Sequence, residues 1–114
     1  MTQLVSFEVA KLLKEKSFDE LCDKKYIARC LWQSDNSRQQ YKNSEIHQNS
    51  SDTTAPTISE AVMWLYNKYR IWIEVYYDIP KKKFYIVWNG EEYNFNSPSE
   101  AYEAAIKYVL KNLI

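Results

Sequence analysis

Apolar residues recur with the spacing of an α-helix in three stretches of the chain. The first helix is predicted over roughly residues 7–16, with Ser6 as its N-cap. The second begins after Thr57, because the sequence TISE is a capping box in which the first and fourth residues bond to each other's backbone. The third begins after Ser97 in the sequence SPSE, since proline in the first helical position gives up no hydrogen bond.

Between the second and third helices, the pattern changes to the alternation that is typical of strands. Residues 71–78, IWIEVYYD, place alternate side chains on opposite faces, and FYIVW at 84–88 predicts a second strand. Asn89-Gly90 is the strongest short hairpin signal, because a type I′ turn needs a positive φ at both positions. EYNF at 92–95 completes a predicted three-stranded antiparallel meander.

A long polar segment covers residues 33–56 and predicts a loop. The order helix, polar loop, helix, three strands, helix is that of an α+β protein, which we expect to form a single domain over residues 1–114, with the helices on one sheet face. A loop of this length inside a compact domain is usually functional or disordered. An alternative hypothesis is therefore that this loop is the binding segment and becomes ordered when it binds a partner.

Aromatic residues are concentrated in the predicted meander. Alternation places Trp72, Tyr76 and Tyr85 together on the face turned away from the helices. They are ordinary cross-strand pairs, a protein-docking surface, or a platform on which nucleic-acid bases stack. The base-stacking interpretation would use the lysines of the adjoining turn, which are Lys81, Lys82 and Lys83. On its own, this lysine turn is typical of a solvated turn that discourages edge-to-edge pairing of sheets.

The charge of the chain argues against nucleic-acid binding, and its glycine content argues against nucleotide-dependent enzymes. Lys plus Arg number 15 and Asp plus Glu number 15, so the net charge is zero, whereas nucleic-acid-binding proteins usually carry a positive excess. Glu74 and Asp78 also lie on the face that would meet a nucleic acid. The single glycine, Gly90, excludes the glycine-rich loops that cradle phosphates and with them the commonest nucleotide-dependent enzymes.

The residues that could perform catalysis form no recognisable set. The one histidine, His47, lies in the polar loop, and the spacing of Cys22 and Cys30 does not match a zinc motif, which favours two reduced thiols. We therefore expect a non-enzymatic protein without metal or cofactor. The N-terminus has no signal-peptide pattern, and the longest apolar run, residues 61–66, is far shorter than the roughly 20 residues of a membrane span, so a cytoplasmic location is expected.

Three stretches also carry a resemblance to a known group of proteins. VSFEVAKLLKEKSFDE, APTISEAVMWLYNKYRIWIEV and SPSEAYEAAIKYVLKNLI resemble small proteins of unknown function encoded in phages, prophages and mobile elements of gut bacteria. Such proteins commonly have a glycine where this chain has Ser17. The resemblance implies a small accessory protein of phage or mobile-element origin in the bacterial cytoplasm, and it assigns no site residues.

The leading hypothesis is therefore a small interaction protein. It would dock onto a host or phage protein, or onto a second copy of itself, through Trp72, Tyr76 and Tyr85. The alternative is a nucleic-acid-associated regulator that uses the same aromatic residues together with the lysine turn. Salt discriminates the two, because phosphate contacts weaken steeply as the salt concentration rises and an aromatic protein interface hardly changes.

Overall fold

The computed structural model describes residues 3–32, 39–46 and 52–114, so His47 lies outside the described residues. Within these residues there are three α-helices: α1 Phe7–Glu15, α2 Ile58–Tyr69 and α3 Pro98–Asn112. The strands are β1 Lys25–Ile27, β2 Cys30–Trp32, β3 Thr53–Thr54, β4 Tyr76–Asp78, β5 Lys83–Trp88 and β6 Glu91–Phe95. A 3₁₀ turn spans Asn43–Glu45. The prediction of an α+β protein is confirmed.

The strands of the described residues form two antiparallel sheets of three strands each, with the orders β2-β1-β3 and β4-β5-β6. The second sheet is the predicted meander, and its hairpin turns at Asn89-Gly90 with φ values of 52° and 77°. The first sheet was not predicted. The prediction of a single meander is therefore wrong, and in the described chain the order of elements is α-β-β-β-α-β-β-β-α.

The third strand of the first sheet lies within the predicted polar loop. Thr53 and Thr54 form β3 and are fully buried, which a polar segment does not suggest. Their burial is possible because the side chain of Asn43 accepts hydrogen bonds from the Thr54 amide (2.9 Å) and the Thr53 hydroxyl (3.2 Å) and donates one to the Phe18 carbonyl (2.7 Å). The polar groups that Asn43 pairs lose little on burial, so this part of the loop joins the core.

The strand predicted over 71–78 is much shorter in the structure. Only Tyr76–Asp78 pairs with β5, and residues 71–75 form neither helix nor strand. Helix α2 ends at Arg70 in the left-handed conformation (φ 58°), and the Ile71 amide bonds back to the Leu65 carbonyl. Ile73 is then buried in the core, so this segment packs its side chains instead of extending the ladder.

Helix α3 connects the rest of the molecule, since it packs against α1, α2, β5 and β6. Glu103 of α3 accepts hydrogen bonds from the amide (2.6 Å) and the hydroxyl (2.9 Å) of Ser6. Lys107 of α3 pairs with Glu8 at 2.8 Å, and this hydrogen bond lowers the pKa of Glu8. Among the residues that the structure describes, none of the helices has the length and apolar character needed to cross a membrane.

Candidate functional site

The three aromatic residues predicted to share one face lie on two different surfaces. Tyr76 and Tyr85 do form a pair, stacked at 5.3 Å on the outer face of the second sheet. Trp72 instead packs edge-to-face against Tyr66 of α2, with ring centroids 5.4 Å apart. The alternation from which the shared face was predicted does not reach Trp72, because residues 71–75 lie outside the ladder.

The outer face around the Tyr76–Tyr85 pair carries charges of both signs. The Tyr76 hydroxyl donates to a carboxylate oxygen of Glu74 at 3.2 Å, and the negative charge of Glu74 together with this bond raises the pKa of Tyr76. Asp78 pairs across the ladder with Lys83. A stacking platform for nucleic-acid bases would therefore hold two carboxylates close to the stacked rings, where they repel phosphate.

The predicted lysine turn is present, and two of its three ammonium groups have partners. Lys81 lies 4.0 Å from the carboxylate of Glu92, and Lys83 donates to the side chain of Asn96. Lys82 adopts a left-handed backbone conformation (φ 55°) at the corner of the turn. Because the Asn96 side chain is neutral, only Lys81 of the three has an ion-pair partner in the described chain, and the turn keeps most of its positive charge.

A second surface is an apolar groove of about 430 Å³ between α2, the start of α3 and the β4–β5 hairpin. We call it the apolar groove. Its walls include the side chains of Met63, Trp72, Val75, Tyr77, Phe84 and Tyr102. Of the described residues that line it, none carries a charge at neutral pH. A volume of this size lies within the range of sites that take a small ligand or the anchoring side chains of a protein partner.

The groove stays open because α3 packs against β5 and β6 and leaves the space beside β4 unfilled. Tyr77 contacts Phe84 with ring centroids 4.8 Å apart, yet 49% of Tyr77 remains exposed. Trp72 is 56% exposed and Met63 is 46% exposed. Ile79, which follows β4 directly, is 75% exposed. Large apolar side chains that lie together in solvent commonly mark an interaction site.

Tyr77 and Met63 were missed as site residues by sequence reasoning. Alternation places Tyr77 on the same side as Ile73 and Val75, which predicts a side chain covered by the helices. The spacing of Met63 likewise assigns it to the widened apolar face of α2. These two side chains stay exposed because of the position of α3, and this position depends on tertiary packing.

The cysteines show no reactive arrangement. Cys22 is buried, and burial raises the pKa of its thiol to about 12, so that it stays protonated. Cys30 is exposed on β2. Across residues 3–32, 39–46 and 52–114, no group of three or more His, Cys, Asp or Glu side chains is placed to hold a metal ion.

Comparison with known proteins assigns no family and no function to this chain. No family model matches the chain, and no curated protein and no solved structure is significantly similar to it.

Proposed function

We propose that this chain is a non-enzymatic interaction protein that docks a protein partner through the apolar groove. The observation that carries the proposal is the exposure of three large apolar side chains, Met63, Trp72 and Tyr77, around one uncharged concavity. Trp and Tyr are the residues that most often supply the binding energy of protein interfaces. The proposal keeps Trp72 from the predicted surface and adds Tyr77 and Met63.

The chemistry of the groove supports binding and not catalysis. Its polar side-chain groups are the indole N–H of Trp72 and hydroxyls such as those of Ser59 and Tyr77, and its walls otherwise consist of hydrocarbon and aromatic rings. A general acid or base needs a group that titrates near the working pH, and the residues that line the groove include no histidine, carboxylate or lysine. An apolar protein segment is complementary to such a surface.

The biological setting of the proposal comes from the sequence. The resemblance to small proteins of phages and mobile elements supports an accessory protein of such origin, acting in the bacterial cytoplasm on a host protein, a phage protein or itself. This part of the proposal is tested by expressing the chain in a bacterial host and recovering it with its partners.

The test of docking compares two matched pairs of substitutions by affinity purification from bacterial cytoplasm. Trp72→Ser with Tyr77→Ser removes two walls of the groove, and Tyr76→Ser with Tyr85→Ser removes the stacked pair on the outer face. We expect the first variant to lose a protein that the wild type and the second variant both retain. Circular dichroism first confirms that both variants fold. Equal recovery with all three proteins would contradict docking through the groove.

The outer face supports one alternative, because the stacked Tyr76–Tyr85 pair lies beside Lys83. A nucleic-acid-associated regulator would stack bases on these rings. The same purification tests it when nucleic acid is assayed with protein. The alternative requires nucleic acid that is lost from the Tyr76→Ser, Tyr85→Ser variant and released by moderate salt.

A further inference from the structure

We propose that the partner in the groove is a second copy of this chain, and that two copies pair their β4 strands antiparallel about a two-fold axis at Tyr77. The two meanders would then form one continuous sheet of six strands. This inference rests on the proposed function, since it names the partner of the same groove.

The first argument is the free edge of β4. The strand order β4-β5-β6 leaves one side of β4 without a neighbour among the described strands. An edge strand presents unpaired amide and carbonyl groups, which pair readily with another strand. Because β4 is Tyr76–Asp78, a two-fold axis at its middle residue pairs Tyr77 with Tyr77 and Tyr76 with Asp78 of the second copy.

The second argument is the exposed apolar surface next to this edge. One step beyond the ladder, the same register brings Ile79 opposite Val75 of the second copy. Ile79 is 75% exposed, and Val75 lines the groove, so each copy would place an exposed aliphatic side chain over the groove of the other. The pairing removes from water the most exposed large apolar residue next to the groove.

The third argument is charge. Glu74 precedes β4, and Lys81 and Lys82 follow it in the turn. Antiparallel pairing places Glu74 of each copy beside the lysine turn of the other and keeps the two lysine turns at opposite ends. Parallel pairing would instead bring lysine beside lysine and glutamate beside glutamate. The lysine turn therefore disfavours other edge contacts and permits this one.

The interface is small, because it consists of one short edge strand and the groove beside it. Interfaces below about 1,200 Å² in total belong to weak or transient complexes. We therefore expect a monomer–dimer equilibrium that depends on protein concentration, and this concentration dependence is what analytical ultracentrifugation measures.

The decisive test introduces a cysteine on the proposed axis. In a Cys30→Ser background, which leaves only the buried Cys22, Tyr77→Cys should form a disulfide-linked dimer under mild oxidation, because the disulfide traps even the weaker pairing that remains after one wall of the groove is lost. Residues directly opposite each other have Cβ atoms about 4.5–5.5 Å apart in an antiparallel pair, close to the separation that a disulfide spans. The matched control is Val87→Cys, which is exposed on the central strand β5 and should remain monomeric.

A second test exchanges charges. Glu74→Lys alone and Lys81→Glu with Lys82→Glu should each weaken dimerisation by about fivefold, and the combined variant should recover it. Glu45→Lys, which makes the same charge change in the 3₁₀ turn, should have no effect. A chain that stays monomeric, with Tyr77→Cys no more cross-linked than Val87→Cys, overturns self-association. Docking of a different protein would survive that result if the groove variant still lost a captured protein.

Discussion

Two of the hairpins in the described chain, β5–β6 and β1–β2, have two-residue turns with a positive φ at both positions, but they use different residues. In the β5–β6 hairpin, Asn89 and Gly90 have φ values of 52° and 77°, and in the β1–β2 hairpin, Ala28 and Arg29 have φ values of 50° and 68°. Positive φ at both positions suits the twist of paired strands, and Asn-Gly adopts it at low cost. Other residues lose roughly 1–2 kcal/mol each in this conformation. The first turn is therefore imposed by its surroundings, whereas the second follows from its own residues.

The contacts around the first hairpin show what holds it in this conformation. The Ala28 amide donates to a carboxylate oxygen of Asp52 at 3.0 Å, and the Arg29 guanidinium lies 5.7 Å from the ring centre of Phe7. The Lys25 ammonium lies over the rings of both Trp32 and Tyr41. Strand β3 pairs with the other side of β1. Tertiary contacts thus offset a turn that the local sequence does not favour.

The largest effect is expected when Ala-Arg, the residue pair of the β1–β2 turn, replaces Asn-Gly in the β5–β6 hairpin. Asn89→Ala with Gly90→Arg should lower the free energy of unfolding by about 2 kcal/mol, because both new residues resist positive φ. A Cβ atom at Gly90 meets no atom within 4 Å, so the cost at Gly90 is conformational and not steric, whereas Asn89→Ala also removes the hydrogen bond from the Asn89 side chain to the Tyr108 hydroxyl. Urea denaturation followed by circular dichroism measures it. An unchanged midpoint would show that the β5–β6 turn is also imposed by its surroundings.

The reverse exchange should have a smaller effect of the opposite sign. Ala28→Asn with Arg29→Gly relieves the strain at both positions and loses the contact between Arg29 and Phe7, which is worth about 0.5–1 kcal/mol. The net stabilisation should be about 1 kcal/mol. Arg29→Ala is the matched control, because it loses the same contact and keeps the strained backbone. If both variants were equally destabilised, the turn would carry no strain.

The same contrast explains how much of the fold the sequence could predict. The first residues of the three helices were predicted correctly, because their N-caps are local: Thr57 and Glu60 bond reciprocally, and the Ser97 hydroxyl accepts from the Glu100 amide. The β5–β6 hairpin was predicted for the same reason. In contrast, the Ala28-Arg29 turn has no local signal, so the first sheet was missed.

The candidate site was predicted only in part, for a related reason. Trp72 was identified by its type and by a periodicity that the structure does not continue through residues 71–75. Whether Tyr77 is covered depends on where α3 packs, and α3 leaves the groove beside β4 open. Packing between distant segments is not encoded in a period of two or 3.6 residues. A groove that exists because no segment packs beside β4 is therefore among the hardest features to predict from a sequence.

A third change extends the comparison from hairpin turns to helix ends. Ser17 follows α1 with a φ of 69°, and the Phe18 amide bonds back to the Leu13 carbonyl, as in a Schellman motif. Ser17→Gly should stabilise the protein by about 1 kcal/mol, since glycine adopts this conformation without a Cβ penalty. Ser17→Ala should give no such gain. Thermal denaturation of both variants checks the prediction, and equal midpoints would contradict it.

The smallest effects concern the buried thiol of Cys22, which lies in an isolated β-bridge with Tyr41 just before the first sheet and reports how often the chain around that sheet opens. Cys22 exchanges backbone hydrogen bonds with Tyr41 and is buried, so an alkylating reagent should modify exposed Cys30 quickly and Cys22 only after local opening. If Ala28→Asn with Arg29→Gly stabilises this sheet by about 1 kcal/mol, alkylation of Cys22 should slow by about fivefold. An unchanged rate would mean that Cys22 opens independently of the β1–β2 hairpin.

The burial of the Cys22 thiol also predicts how the stability of the protein changes with pH. Burial raises the pKa of Cys22 from 9.0 to about 12, so the unfolded chain loses this proton at a lower pH than the folded protein does. The stability that the buried neutral thiol contributes is fully present below pH 9 and is lost as the pH rises from 9 to about 12. The measurement is the difference in denaturation midpoint between the wild type and Cys22→Ala, because this difference cancels the contributions that both proteins share. That difference should shrink or reverse at alkaline pH. A constant difference would mean that the thiolate is accommodated in the folded protein, and that the surroundings of Cys22 open to solvent more readily than its burial indicates.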